Sequence, residues 1–456
     1  MNKDKFLIFQ DKSLLEALAQ IEKNNHGVIF TINESDQVTG LLTDGDIRRY
    51  LLQEKSSLED SVSLCTNIEF LWESPSSSRE LLMKKLDHRI RVLPILDKNK
   101  KLIDIVSRDY LPLQEERAVY ARAKSPVRIS FGGGGSDLTH YFSDGVGAVI
   151  NTTISIFSHA TLRLRNDHKI IIKSLDLNNT LKANNLEDAI VPKENFGLIQ
   201  SLLRTIKPDY GFELDVHSDF PMGSGLGGSA VVSASILGCF NQFRQDRWDP
   251  HELAELAYQA ERLYFGIEGG WQDQYATVFG GFNFMEFRMD ENIVHPLRIQ
   301  SDILLELEES LILCDTGISH NSGKIHQDQR LQMEQKNVKK LVESNVSLCF
   351  EMRNQLLRGD LVSFGKSLDI AWQNKRKLSI GISNNQLDKI YDDAISHGAL
   401  GGKLLGAGGG GFFIFFVPPL RKFELIKHLK ESSLNIRPFR FEQEGLRSWT
   451  VRETRD

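Results

Sequence analysis

The chain has 456 residues, too many for one hydrophobic core, so two or three domains are expected. A formal net charge of −6 leaves no basic excess to neutralise phosphates, which argues against nucleic acid as the main partner. No apolar run approaches bilayer length, and Met1 to Lys5 leads into mixed residues instead of a signal-peptide core, so a cytoplasmic chain without membrane contact is expected.

Residues 1–112 carry a faint internal repeat. The first copy has a helical pattern over Ser13 to Ile21, a strand over Gly27 to Ile32, a polar turn and a second strand, Val38 to Leu42. Thr43-Asp44-Gly45-Asp46 then opens a helix. The second copy runs from Arg79 to Leu86 through the strands Ile90 to Leu96 and Lys101 to Val106, and closes on Ser107-Arg108-Asp109. Helix, strand, turn, strand and Asp-capped helix, twice over, resembles a tandem pair of CBS domains. The resemblance implies an adenine nucleotide held by Thr43 and Asp46, and a homodimer formed through this region. The same two residues also suit a plain helix cap. Ser107 and Asp109 stand at the matching place of the second copy, without the intervening glycine.

Residues 113–123 read as a stiff, charged linker, helical over Leu113 to Arg122. From 124 the pattern gives strands at Ser125 to Ser130, Val146 to Ile150, Ile154 to Leu164, Ile170 to Ser174 and Phe212 to Val216. Helices are expected at Val231 to Arg244, His251 to Phe265 and Leu331 to Arg358. Strands and helices mix without strict alternation, which favours an α+β fold over a doubly wound sheet. The four cysteines, Cys65, Cys239, Cys314 and Cys349, lack C-x-x-C spacing and read as buried reduced thiols.

Three glycine-rich stretches carry the chemistry. The central one is Pro221-Met222-Gly223-Ser224-Gly225-Leu226-Gly227-Gly228-Ser229-Ala230, running into a small and apolar helix. Its glycines allow positive φ and close ligand approach, and its backbone N–H groups stand at a positive helix end, the makings of a phosphate cradle. Its spacing fits neither G-x-x-x-x-G-K-[ST] nor G-x-G-x-x-G after a strand, and by itself it could be only a tight helix entry. Earlier, Arg128 to Phe131 runs into Gly132-Gly133-Gly134-Gly135-Ser136-Asp137. Later, Lys403-Leu404-Leu405-Gly406-Ala407 runs into Gly408-Gly409-Gly410-Gly411.

Three such segments in this order resemble the motifs of the GHMP small-molecule kinases over about residues 122–456. With Gly269 to Ala276 and Phe279 to Asn283, the detail is most similar to the D-glycero-D-manno-heptose 7-phosphate kinase branch. The resemblance implies a two-lobed kinase over 124–456, with lobes of about 124–290 and 291–456, and a sugar-phosphate substrate phosphorylated by ATP with Mg²⁺. It implies that Pro221 and Gly223 to Ser229 hold the nucleotide, and that Ser229 and Glu261 hold the metal. Asp273 becomes the catalytic carboxylate in a glycine-flanked loop, and Arg128 the cation beside the attacked hydroxyl. Gly134, Ser136, Asp137 and Gly408 to Gly410 fall on the sugar side; separately, the stretch Thr316 to Lys324, with His320 and Lys324, combines hydroxyls, turn residues and a cation that suit a phosphate already on the sugar. Each has a plainer reading. Glu261 could pair with a neighbouring arginine on a solvated face, Asp273 could cap a loop, and Arg128 and Asp137 could make strand-end salt bridges. Gly408 to Gly411 could be a helix-to-strand hinge.

Overall fold

The computed structural model describes residues 3–87, 90–107, 110, 118–143, 145–192, 195–221, 223–318, 325, 328, 332 and 336–452. The chain divides into two compact units, Met1–Arg117 and Ala118–Arg452.

In the first unit, β1 (Leu7–Phe9) pairs in parallel with β2 (Val28–Ile32), and β2 pairs antiparallel with β3 (Val38–Thr43). The helix Leu14–Asn24 begins at a capping box, Ser13 with Glu16, and ends on Asn25 in the left-handed conformation. The second half has the helix Arg79–Lys85 and the hairpin β4 (Val92–Leu96) and β5 (Leu102–Ser107). Phe30, Ile32 and Val38 pack with Val92, Leu96 and Ile105, so the two halves bury their apolar faces in one core.

The second unit is built on two very long antiparallel strands, β6 (Ala118–Gly132) and β7 (Gly147–Leu164). The expected helix over Leu113 to Arg122 is overturned where the structure describes it. Ala121, Ala123 and Ser125 are buried while Arg122 between them is exposed, a period of two that belongs to a strand. Pro126, which has no N–H to give a ladder, falls where the β6–β7 register shifts. The two expected strands around residue 150 are the single strand β7. It carries the sheet onward to β10 (Phe212–Ser218), β8 (Ile170–Ser174) and β9 (Asn179–Ala183) on one side. On the other lie β11 (Phe282–Phe287) and β12 (Asn292–Pro296).

A second, four-stranded sheet has the order β14 (Gly401–Leu404), β15 (Phe412–Phe416), β13 (Leu311–Asp315), β16 (Asn435–Arg437). β12 belongs to the large sheet, and after the small sheet the chain returns to the large one, where β17 (Phe441–Glu442) pairs with β7 and β18 (Arg447–Arg452) with β6. Asp273 also departs from its expected loop, since it lies in the first turn of the helix Gln272–Phe279, where a carboxylate faces a positive helix end. Among the described residues no helix is long and apolar enough to cross a membrane.

Candidate active site

The central glycine stretch enters the helix Gly228–Asn241 through Gly227, which is left-handed at φ 78° and makes no side-chain cap. Gly223 and Gly225 also take positive φ, 72° and 76°. The first N–H groups of this helix are therefore presented outward by bare backbone, as an anion site requires. A β-carbon at Gly227 would stand 3.2 Å from Asp273 Oδ2 and 3.3 Å from Arg128 Cζ, so the turn passes directly over both. Ser224, Gly223, Gly225, Gly227, Gly228 and Ser229 line a cavity of about 590 Å³. Leu226 points the other way, fully buried in the core, and Pro221 is outside the cavity lining. Leu226 thus fastens the turn, and neither side chain is placed to touch a nucleotide.

Arg128 rises from β6 beneath this turn and is only 3% exposed. Its Nε and Nη2 donate to Asp273 Oδ1 and Oδ2, both at 2.8 Å, and its Nη1 donates to Gly225 O at 2.9 Å. The fork fixes the carboxylate in plane and ties it to the glycine turn. Asp273 keeps 23% of its side chain open toward the cavity. Asp137, buried beside it, accepts from Gln272 N at 3.3 Å. Burial, and then the Asp273 charge, push the Asp137 carboxyl up to about 6. Gly270 is required here, because a β-carbon would fall 1.8 Å from Asp137 Oδ2.

Glu261 lies in a π-helical turn, Ala260–Tyr264, that follows the helix Pro250–Gln259. One extra residue per turn rotates its side chain inward, a distortion common at functional sites. Glu261 is 2% exposed, so the solvated-face reading fails. Its Oε1 accepts from Ser229 Oγ and lies 3.3 Å from Arg262 Nη1, while its Oε2 accepts from Gln274 Nε2 at 2.6 Å. Two oxygen donors meeting at the rim of an uncapped, glycine-lined helix end fit a hard divalent cation beside a polyphosphate.

The third glycine stretch contributes differently from its expectation. Gly406 packs on Gly225 and Gly411 on Ser224, backbone against backbone, and a β-carbon at either would fall within 2.5 Å of the neighbouring carbonyl oxygen. Gly406 and Ala407 line the cavity, but Gly408, Gly409 and Gly410 do not. They turn away instead. Gly409 N donates to Ile382 O at 2.8 Å, and Gly410 is pressed against Ile318 O. Ser136 is likewise corrected from substrate contact to clamp. It is fully buried, accepts from Ala148 N at 3.1 Å and lies within hydrogen-bond reach of Gly133 O and Ala148 O, fastening the first glycine loop to β7. Gly134 does face the cavity, with open space where a side chain would be.

Two buried lysines in the cavity wall escaped the sequence reading. Lys375, from the helix Leu361–Lys375, donates to Leu404 O at 2.9 Å and Gly406 O at 2.5 Å, holding the third glycine turn. Lys403, from β14, is 3% exposed, and burial pushes its ammonium down to about 8. The available signal was a charged residue inside the otherwise small and apolar run Gly401-Gly402-Lys403-Leu404. Leu177, Leu198 and Phe265 add an apolar shelf to the cavity lining. Phe265 lies so close over Gly197 that a β-carbon there would fall 2.4 Å from its ring.

In the first unit, Thr43 and Asp46 close a capping box on the helix Asp44–Leu51. Thr43 N donates to Asp46 Oδ2 at 2.9 Å, Asp46 N to Thr43 Oγ1 at 3.1 Å, and Arg49 pairs with the same carboxylate. The helix-cap alternative is the one this geometry supports. Asp109, His320 and Lys324 lie outside the described residues.

Comparison with known proteins agrees with this geometry. The family profiles described as GHMP kinases N terminal domain and GHMP kinases C terminal match residues 195–281 and 352–431, and a CBS domain profile matches residues 1–53. D-glycero-alpha-D-manno-heptose 7-phosphate kinase of Campylobacter jejuni is 36% identical over 336 residues, covering 72% of this chain and 99% of that protein. A crystal structure of a D-glycero-D-manno-heptose 1-phosphate kinase from Bacteroides thetaiotaomicron superposes with a TM-score of 0.61 at 29% identity, covering 73% of this chain and all of that one. Lactococcus lactis galactokinase, at 19% identity and a TM-score of 0.59, shares the fold. The chain belongs to the GHMP kinases, with a CBS domain at its N-terminal end. Within that family it is a sugar-phosphate kinase, and ATP is its phosphoryl donor.

Proposed function

We propose that this kinase transfers the γ-phosphoryl of ATP to the anomeric hydroxyl of D-glycero-D-manno-heptose 7-phosphate, giving the 1,7-bisphosphate for nucleotide-activated heptose and surface polysaccharide. The observation that carries this reading is the meeting of an uncapped glycine-lined helix end with the Arg128–Asp273 fork on one cavity wall. The heptose assignment rests on the Campylobacter jejuni relative.

In this scheme the helix end and the turn from Gly223 to Ser229 hold the ATP phosphates through backbone N–H groups. The apolar shelf of Leu177, Leu198 and Phe265 takes the base. Ser229 and Glu261 would hold a Mg²⁺ ion, which would supply charge neutralisation of the phosphates. Asp137 accepts sugar hydroxyls, and Asp273 takes the anomeric proton on the oxygen lone pairs left free by Arg128. Arg128 keeps that carboxylate oriented and offsets negative charge near the transferring group. Positioning and charge compensation are most of what phosphoryl transfer asks of a protein.

The N-terminal unit is proposed to bind an adenine nucleotide and to form a homodimer, with the whole protein in the cytoplasm. A ribose held by Thr43 and Asp46 has to open their capping box first. ADP release measured over a panel of heptose 7-phosphate, fucose and galactose tests the main assignment. Turnover of fucose with none of heptose 7-phosphate overturns it. Sedimentation with and without AMP tests the assembly.

A further inference from the structure

Four cations reach the cavity wall, and their donors are committed very unequally. Arg128 gives Nε and Nη2 to Asp273 and Nη1 to Gly225 O. Arg262 pairs with Glu261 and donates to Ile267 O and Gly270 O. Lys375 holds the carbonyls of Leu404 and Gly406. Lys403 alone of the four makes no hydrogen bond or ion pair among the described residues, although it is 3% exposed and lines the cavity. A buried ammonium without a partner is costly, and proteins keep such groups where a ligand completes them.

We propose that Lys403 is a further anion-binding group of this cavity, its ammonium taking a phosphoryl oxygen of a bound substrate. The proposal deepens the kinase reading and rests on it for the identity of that substrate. The titratable groups that act electrostatically on Lys403 are Arg128 on β6, Asp137 after the first glycine loop, Cys349 on the helix Lys336–Arg358 and Lys375 on the helix Leu361–Lys375. Asp137 is the one carboxylate among them. Burial and the Asp273 charge push its carboxyl upward, so it compensates Lys403 poorly at lower pH. Arg128 cannot take over the task, since its fork is already matched by Asp273. The phosphoryl oxygen has two sources of the same chemistry, the phosphate already on the sugar and the γ-phosphoryl in transit.

Lys403→Met and Lys403→Arg, compared with wild type by thermal melting, calorimetry and turnover, decide the matter. Removal of an uncompensated buried charge predicts that the ligand-free Met variant melts no lower than wild type, while anion binding or turnover falls about ten- to a hundredfold. The Arg variant recovers part of the loss, because the charge is kept. If the sugar's own phosphate is the ligand, affinity for the sugar phosphate falls and affinity for the unphosphorylated sugar does not. If the phosphoryl in transit is the ligand, turnover falls with either sugar and both affinities hold. Wild-type kcat/KM should drop as pH rises through about 8, where the free ammonium loses its proton, and the Arg variant should lack this limb. A Met variant with unchanged affinities and turnover overturns the proposal, as does one that melts clearly lower, the mark of a purely structural ammonium. If wild type releases no ADP with any sugar phosphate, the functional reading has failed separately. Calorimetry of ATP and inorganic phosphate on the Met variant then still judges Lys403.

Discussion

The helix Asp44–Leu51, entered straight from β3, and the helix Gly228–Asn241, entered through the glycine turn, begin in opposite ways. The helix Asp44–Leu51 is sealed by its own chain, with Thr43 extended at φ −110° and its hydroxyl and the Asp46 carboxylate occupying the first donors. The helix Gly228–Asn241 starts from a left-handed glycine with no side chain to offer. Both ends carry the same partial positive charge and the same unpaired N–H groups. The chain answers the first requirement internally and offers the second no side-chain cap. A polar cap is thus a statement that a helix end is finished, and bare glycines in a cavity are a statement that it is not.

The largest effect is expected at the open end. Asp273→Asn removes the charge beneath the glycine turn while keeping its shape, and turnover should fall by about a hundredfold or more with ATP affinity little changed. Turnover near wild type in a folded variant would leave the open end without its chemistry. Next, Gly227→Ala adds a β-carbon at a left-handed position pressed against Asp273 and Arg128. Strain of about 1–2 kcal/mol should weaken ATP binding roughly tenfold, read by calorimetry. An unchanged affinity would mean that the turn is no cradle.

The next effect depends on pH. Because the folded pKa of Asp137 is raised from 3.8 to about 6, the protonated carboxyl is the form the fold tolerates. The charged form costs stability as pH climbs from about 4, in full above 6, so Asp137→Asn should gain thermal stability at pH 7 but not at pH 4. Sugar affinity of wild type should weaken below about pH 6 as the hydroxyl-accepting carboxylate is protonated, and the Asn variant should lose that dependence. The smallest effect belongs to the sealed end. Thr43→Ala should cost about 1 kcal/mol, lowering the melting midpoint of the N-terminal unit by a few degrees with sugar kinetics unaltered. A change in nucleotide response larger than that melting shift would show that the cap residues also serve a ligand.

The features legible in the sequence were those with a local cause. The capped helices near Ser13 and Thr43, the strands around Ile172 and Leu214 and the glycine turn before Ala230 are dictated by neighbours within a few residues. Arg128, Glu261 and Asp273 are pointed to by the resemblance to the GHMP kinases, and the structure brings them to one cavity wall. What escaped depended on distant partners. Ser136 and Gly408 to Gly410 were placed at the ligand because of their motifs, yet Ala148, Ile318 and Ile382, remote in sequence, take up their hydrogen bonds or close contacts. The strand over Ala118 to Arg122 reads as helical from its sequence because its two ladder partners, β7 about forty residues later and β18 more than three hundred residues later, lie outside the local window. Lys403 stands out locally only as a charge in a small, apolar run, and which groups surround it depends on Cys349, Arg128 and Asp137, all remote in sequence.

The return of the chain to its starting sheet has a consequence for biosynthesis. β6 opens the kinase unit, yet its outer edge is paired only when Arg447 to Arg452 arrives. Until the last strand leaves the ribosome, one of the two longest strands of the unit presents a row of unsatisfied backbone groups to any other chain. Closing that edge is a contact of extreme sequence separation, slow by nature and late by necessity. Chains cut short before Arg447 should therefore be recovered as aggregates or bound to chaperones, even though every residue of the cavity wall has already been made.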